Sequence, residues 1–174
     1  MNIEKIKSEV RIELLTIQKD LIILVDSREK EKFRTKYIKY WEDKGFKTFV
    51  KRLETGDYSF VYKGVDYSNR FSIDKKAHVS ELIGNLTEER FKRELERAEK
   101  FDYFSFCVET GRLSDIYEGK YSSNIKTKSA IALLETMKNK FQVDFIDGIF
   151  LPEYIYYKIH YYLRSCLIRT KMIQ

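Results

Sequence analysis

Proline is almost missing from this chain, with 1 in 174 residues, and glycine is sparse, with 7. Collagen-like, low-complexity and linker-rich organisations need one or both in quantity, so they are excluded. Cysteine and histidine stand at 2 each. Cys107 and Cys166 sit among apolar neighbours and read as small core residues in a reducing compartment, not as a disulfide framework. His78 and His160 are isolated, so neither a zinc site nor a Ser-His-Asp or Cys-His nucleophile has a supporting motif. No apolar run approaches the roughly 20 residues of a spanning helix. The longest, Leu21 to Val25, is strand-sized. The opening Met-Asn-Ile-Glu-Lys lacks the apolar stretch of a signal peptide. The expectation is a cytoplasmic protein with no membrane segment.

What the chain does hold is 43% hydrophobic and 34% charged residues, enough for one sizeable core. Its 33 basic and 27 acidic residues leave a net charge of +6, a mild bias toward an anionic partner such as nucleic acid. Residues 1–18 space Ile3, Ile6, Val10, Leu14 and Ile17 near a helical period, an amphipathic N-terminal segment; 19–174 read as a single domain. Leu21 to Val25 reads as a buried strand. Phe33, Tyr37 and Trp41, at steps of four, predict a helix over 31–44 stopped by Gly45. Strands are expected at 46–51, 58–62 and 70–76, with a hairpin connection at 63–66. Val79, Leu82 and Ile83 mark one helix. Thr87 is the expected cap of a second, carrying Phe91, Leu95 and Ala98. A strand at 103–109, a short helix at 113–117, a helix at 127–140 and a strand at 143–146 follow. Pro152 opens a long last helix. The order predicts a mixed α/β domain, with helices packed on a sheet that includes antiparallel hairpins.

Asp26, Glu29, Asp57 and Asp74 all fall at strand ends or turns. In a strand, Asp74 and Lys76 share one face and Lys75 points away. The hairpin over 57–76 would set Asp57 beside Asp74. Two such carboxylates suit Mg²⁺ or Mn²⁺, hard ions that take oxygen ligands. A neighbouring lysine can orient an attacking water or stabilise phosphate charge. By spacing alone the pattern is short and recurs by chance, and solvated strand-end charges are the plain alternative.

The ordered set of motifs is more specific. Val25-Asp26-Ser27-Arg28-Glu29, Gly56-Asp57-Tyr58, Asp74-Lys75-Lys76, Arg90-Phe91 and Val108-Glu109 together resemble the nuclease domain of the XPF/Mus81 family, the ERCC4-type domain. The resemblance implies a restriction-endonuclease-like α/β fold, a mixed sheet flanked by helices. It implies a metal-dependent DNA endonuclease with a leaning to branched, flap or junction substrates. Asp57 and Asp74, with Asp26, would ligate Mg²⁺ or Mn²⁺. Lys76 would sit beside the attacking water, Glu29 would complete the acidic pocket, and Arg28 would orient the acids or meet a phosphate. Lys75, Arg90 and Arg93 would face DNA, as would Lys126 and Lys128 from a flanking loop. No small-molecule cofactor is implied. A bacterial or phage-infected cell suits so small a domain, or the nucleus in a eukaryote.

The departures are Asp74 and Lys75, where the family has Glu and Arg, and Ser80, where it has Asp. Lysine keeps the charge but loses the bidentate fork. Glu81 is expected to point elsewhere. Tyr154, Tyr156, Tyr157, Tyr161 and Tyr162 are too many for one buried stripe and suit a homodimer interface. The rival readings are a catalytically weak or inactive DNA-binding scaffold, and a junction resolvase or exonuclease on the same fold.

Overall fold

The computed structural model describes residues 2–173. The chain runs α1 (Ile3–Leu14), a 3-10 turn (Ile17–Lys19), β1 (Leu21–Asp26), α2 (Glu31–Asp43), β2 (Lys47–Lys51), β3 (Tyr58–Tyr62) and β4 (Val65–Asp66). It continues with β5 (Phe71–Lys76), α3 (Val79–Asn85), α4 (Glu89–Ala98), β6 (Tyr103–Val108), α5 (Leu113–Tyr117), α6 (Thr127–Lys138), β7 (Gln142–Phe145) and α7 (Leu151–Ile173).

The strands form one sheet in the order β2-β1-β3-β5-β6-β7, with β4 paired to β3. β3 runs antiparallel to both β1 and β5, while β2 follows β1 and β6 and β7 follow β5 in parallel. Five strands therefore point the same way, and Asp26, Lys51, Lys76, Val108 and Phe145 end at one edge. In such sheets ligands collect at the carboxyl ends of the strands.

Each face has its own core. On one, α1, α2 and α7 bury Ile23, Val25, Tyr58, Phe60, Phe71 and Ile73. The step-of-four pattern in α2 works as expected: Tyr37 and Trp41 are fully buried and Phe33 packs at the margin. Trp41 Nε1 donates to Pro152 O at 2.9 Å, which satisfies the one polar atom the indole buries. On the other face α3, α4 and α6 cover Phe104, Phe106 and Val108 with Leu82, Phe91 and Leu134. The N-terminal segment joins the first core, with Ile6, Val10 and Leu14 buried while Ile3 is exposed.

Local departures have local causes. Lys63 and Gly64 take positive φ (49° and 78°), the geometry of a tight hairpin turn, so Val65 and Asp66 become a short strand. Thr87 does not cap α4; Glu88 holds that position, without a side-chain capping bond. Cys107 is buried and Cys166 half-buried, both free. Of the tyrosines, Tyr162 packs on Phe60, Phe71 and Tyr103, Tyr156 packs on Phe46, and Tyr154 bonds Asp144. Tyr157 and Tyr161 stay exposed.

Candidate active site

The turn before β3 brings the acids together. Gly56 has φ +76°, and a Cβ there would lie 2.3 Å from Ser72 Oγ. Only glycine fits this approach of the turn onto β5. Asp57 N then donates to Ile73 O (2.8 Å), and Lys75 N donates to Asp57 Oδ2 (2.7 Å). This pins Asp57 beside Asp74, as the hairpin reading expected. Asp57 Oδ1 receives no hydrogen bond among the described residues.

Asp74 and Lys76 share a face, with Lys76 Nζ 2.7 Å from Asp74 Oδ1. The approach is close but misaligned for hydrogen bonding, and this buried oxygen has no hydrogen-bond donor among the described residues. The ammonium also lies over the Phe91 ring at 5.0 Å. Burial opposes the charge on Lys76, but Asp74 outweighs it and raises the pKa above the ordinary lysine value. Burial pushes Asp57 up to about 7, with the charge of Glu29 adding to it. Burial likewise lifts Asp74 well above the carboxylate range, against the pull of Lys76. Burial disfavours the ionised form of both groups, and an entering cation would favour it.

Asp26 behaves differently. Its Oδ1 accepts from Arg28 N (2.6 Å) and Nε (2.8 Å), and its Oδ2 from Arg28 Nη2 (2.8 Å) and Leu53 N (2.7 Å). Four acceptor positions are therefore filled. Burial works to raise its pKa, but the bonds from Arg28 and Leu53 win and lower it. Asp26 was expected among the metal ligands; with no lone pair to spare, it instead fastens Arg28 and the 51–57 loop to the end of β1.

Lys75 also departs from expectation. It was read as facing DNA, yet its side chain is 4% exposed. Its ammonium lies 3.5 Å from Glu29, 3.6 Å from Glu109 and 3.8 Å from the Phe33 ring centre. It points to the α2 side of the sheet, where Phe33 covers it, and only its margin reaches the neighbouring pocket. Glu29 is held there too, accepting from Lys30 N (2.8 Å) and Tyr58 OH (3.1 Å). Tyr37 OH donates to Glu109 Oε1 at 2.8 Å.

The resulting pocket, about 300 Å³, is lined by Asp57, Asp74, Lys76, Glu81, Arg90 and Glu94, and Glu29 and Lys75 reach its margin. Glu81 and Glu94 were not foreseen. Glu81 faces inward because α3 starts only three residues after Lys76, and its Oε2 accepts from Ala77 N (2.8 Å). Glu94 lies one helical turn after Arg90 on α4, so the rim position of Arg90 carries it along. Arg28 and Arg90 are exposed at the mouth. Arg93, Lys126 and Lys128 are exposed but outside the pocket lining. The loop before α6 is tied to α3 by Ser122 N donating to Ser80 Oγ (2.9 Å). A larger cleft of about 890 Å³ opens beyond Glu109, lined by Asp115, Glu118 and Asp147 and reached by neither Asp57 nor Asp74.

No three His, Cys, Asp or Glu side chains among the described residues are grouped as a metal cage. Mg²⁺ needs less: one or two carboxylates, with retained waters and substrate phosphates completing its shell. The donor-less oxygen of Asp74 and the open oxygen of Asp57 fit such a cation.

The sequence signature of the ERCC4 domain matches residues 25–149. Among solved structures, the chain is similar to XPF from Aeropyrum pernix (TM-score 0.56, 18% identity) and to the same protein in complex with DNA (TM-score 0.55, 19% identity). Each match covers 87% of this chain, which spans 65% and 64% of those chains. No curated protein sequence matches. The expected fold, a mixed sheet flanked by helices, is the one observed.

Proposed function

Because this chain belongs to the ERCC4 domain family, we propose that it is a DNA endonuclease dependent on Mg²⁺ or Mn²⁺. Family membership and fold support the DNA nuclease reading in general. The observation that carries the finer reading is the meeting of Asp57, Asp74 and Lys76 in one pocket with an Asp74 oxygen left without a donor. Asp57 and Asp74 would hold the cation. When bound, it would polarise the scissile phosphate and lower the pKa of an attacking water. Lys76, kept charged by Asp74, stands ready to hold that water or to offset charge building on the phosphate. Arg28, locked by Asp26, and Arg90, at the rim, present guanidinium groups to phosphates of the strand being cut. The cut leaves a 5′-phosphate, and branched or flapped DNA is the preferred substrate. Exposed Tyr157 and Tyr161 on α7 are the faces through which two copies would pair.

The test is incubation of the purified protein with duplex, single-stranded, flap, fork and four-way-junction DNA in Mg²⁺, Mn²⁺ or EDTA. Cleavage is expected only with metal, and neither Asp57→Ala nor Lys76→Ala should retain it. Metal-independent cutting, or cutting unchanged in both variants, would refute the mechanism. Binding without cleavage in Mn²⁺ would favour a scaffold subunit. A monomer mass independent of concentration in sedimentation would remove the dimer.

A further inference from the structure

Next to the site, the β2 edge of the sheet is open on one face, while Leu24 and Asp26 of the neighbouring β1 are buried. Register places Lys47, Phe49 and Lys51 of β2 on the same face as Ile22, Leu24 and Asp26 of β1. Val61 of β3 and Asp66 of β4 continue it. Ile22, Leu24, Phe49 and Val61 belong to neither of the two helix-covered cores. Phe49 is 57% exposed on this surface, an unusual position for a phenylalanine in a sheet. It lies two residues from Lys51, which is level with Asp26. At ordinary strand spacings Phe49 is then about 12 Å from Asp57. The surroundings are basic. Lys47 and Lys51 flank Phe49 on the same face; Lys47 is exposed and makes no ion pair among the described residues, while Lys51 bonds Asp66 at 2.6 Å.

Resting on the nuclease reading, we propose that this edge is a track for an unpaired DNA strand, with a base stacked on Phe49 and phosphates met by Lys47 and Lys51. An exposed aromatic flanked by cations is the arrangement that grips single strands without regard to sequence, because every base offers a π face. An unpaired arm of the substrate would then run along the β2 edge before reaching Asp57 and Asp74. Pairing of β2 with a strand of another protein is the other use of such an edge. Lysines at both ends of β2 oppose it, as they do on protected edge strands, and favour phosphate.

Fluorescence tests this directly. Trp41 is the chain's single tryptophan and is fully buried, so Phe49→Trp adds one exposed reporter. Titration with a short oligo(dT) should quench the added emission saturably and leave the wild-type signal unchanged. Phe49→Ala should bind the same oligonucleotide on the order of tenfold more weakly. It should also lose cleavage of armed DNA relative to arm-free duplex. Absence of quenching together with unchanged affinity in Phe49→Ala would overturn the track. So would a Phe49→Ala variant that changes the sedimentation mass but not DNA affinity, which would assign the face to a second copy. Saturable quenching in Phe49→Trp, together with a wild-type protein that cuts no DNA in Mn²⁺, would uphold the track while refuting the nuclease reading.

Discussion

Lys75 and Lys76 are consecutive, both buried, and both beside carboxylates, yet they lie on opposite faces of β5 in unlike company. Lys75 is enclosed: Glu29 and Glu109 flank it, the Phe33 ring covers it, and Tyr37 and Tyr58 complete the acids around it. Lys76 faces a pocket where Asp57 and Asp74 outnumber it and an Asp74 oxygen has no donor. The first arrangement is almost fully covered and its carboxylates are engaged by Lys75, Tyr37 and Tyr58, so its charges hold the fold. The second is open and acid-rich, so its free energy is available to something that enters. The same split separates Asp26, all of whose acceptors are filled, from Asp57 and Asp74, whose are not.

The largest difference should come from exchanging the ammonium for a shape-matched apolar group on each side. In Lys76→Met, DNA cleavage measured under single-turnover conditions should fall by about 10²–10³-fold, the usual loss on removing one charge-stabilising group. DNA affinity should change little. Near-wild-type cleavage would move Lys76 into the structural class. Lys75→Met should act the other way. It strands Glu29 and Glu109 in a buried site, costing about 3 kcal/mol and lowering Tm by roughly 10 °C. Well below that Tm, affinity for DNA should match the wild type. A loss of affinity without a loss of stability would restore Lys75 to the DNA surface.

Asp26→Asn comes next. It leaves Arg28 and Leu53 with a neutral partner whose amide nitrogen cannot accept, at a cost of about 1–2 kcal/mol near pH 7. The wild-type carboxyl has a folded pKa below its ordinary value, so its contribution is present above about pH 4 and is lost as pH falls through the folded pKa. The stability gap between wild type and Asp26→Asn, measured by urea unfolding, should therefore narrow below pH 4. A gap independent of pH would show that the charge on Asp26 is not what holds the loop.

Much of this contrast could be read from residue order. Strand parity alone put Asp74 with Lys76 and turned Lys75 away, and the Gly56-Asp57 turn ahead of an alternating strand located the second acid. The uninterrupted Leu21–Val25 run and the step-of-four aromatics of α2 needed only periodicity. The misses share one physical origin: they depend on what covers a residue or fills its lone pairs. Parity says that Lys75 leaves the Asp74 face, but not that α2 covers it on the other face with Phe33. Asp26 at a strand end looks like a ligand until Arg28 folds back on it. Glu81 follows Ser80 in a helix whose start, not its period, turns it into the pocket. Glu94 reads as one of several alternating surface charges until α4 is seated beside β5.

The smallest predicted effect is the most selective, because it does not depend on catalysis. If the catalytic face lacks positive charge, adding a divalent cation should stabilise the folded state by RT ln(1 + [M]/Kd), about 1.4 kcal/mol at tenfold excess over Kd. That amounts to a rise in Tm of roughly 3–5 °C for a chain of this size. The rise should appear with Mg²⁺ and Mn²⁺ in the absence of DNA. It should vanish in Asp57→Asn, which removes one negative oxygen donor and relieves the crowding of carboxylates. For the same reason the metal-free Asp57→Asn protein should be at least as stable as the metal-free wild type. Lys75→Met should stay destabilised at a Mg²⁺ concentration that saturates the wild type, since a cation held by Asp57 and Asp74 would leave Glu29 and Glu109 without the ammonium between them. A metal-induced rise that persists in Asp57→Asn would place the cation elsewhere and dissolve the distinction between the two faces.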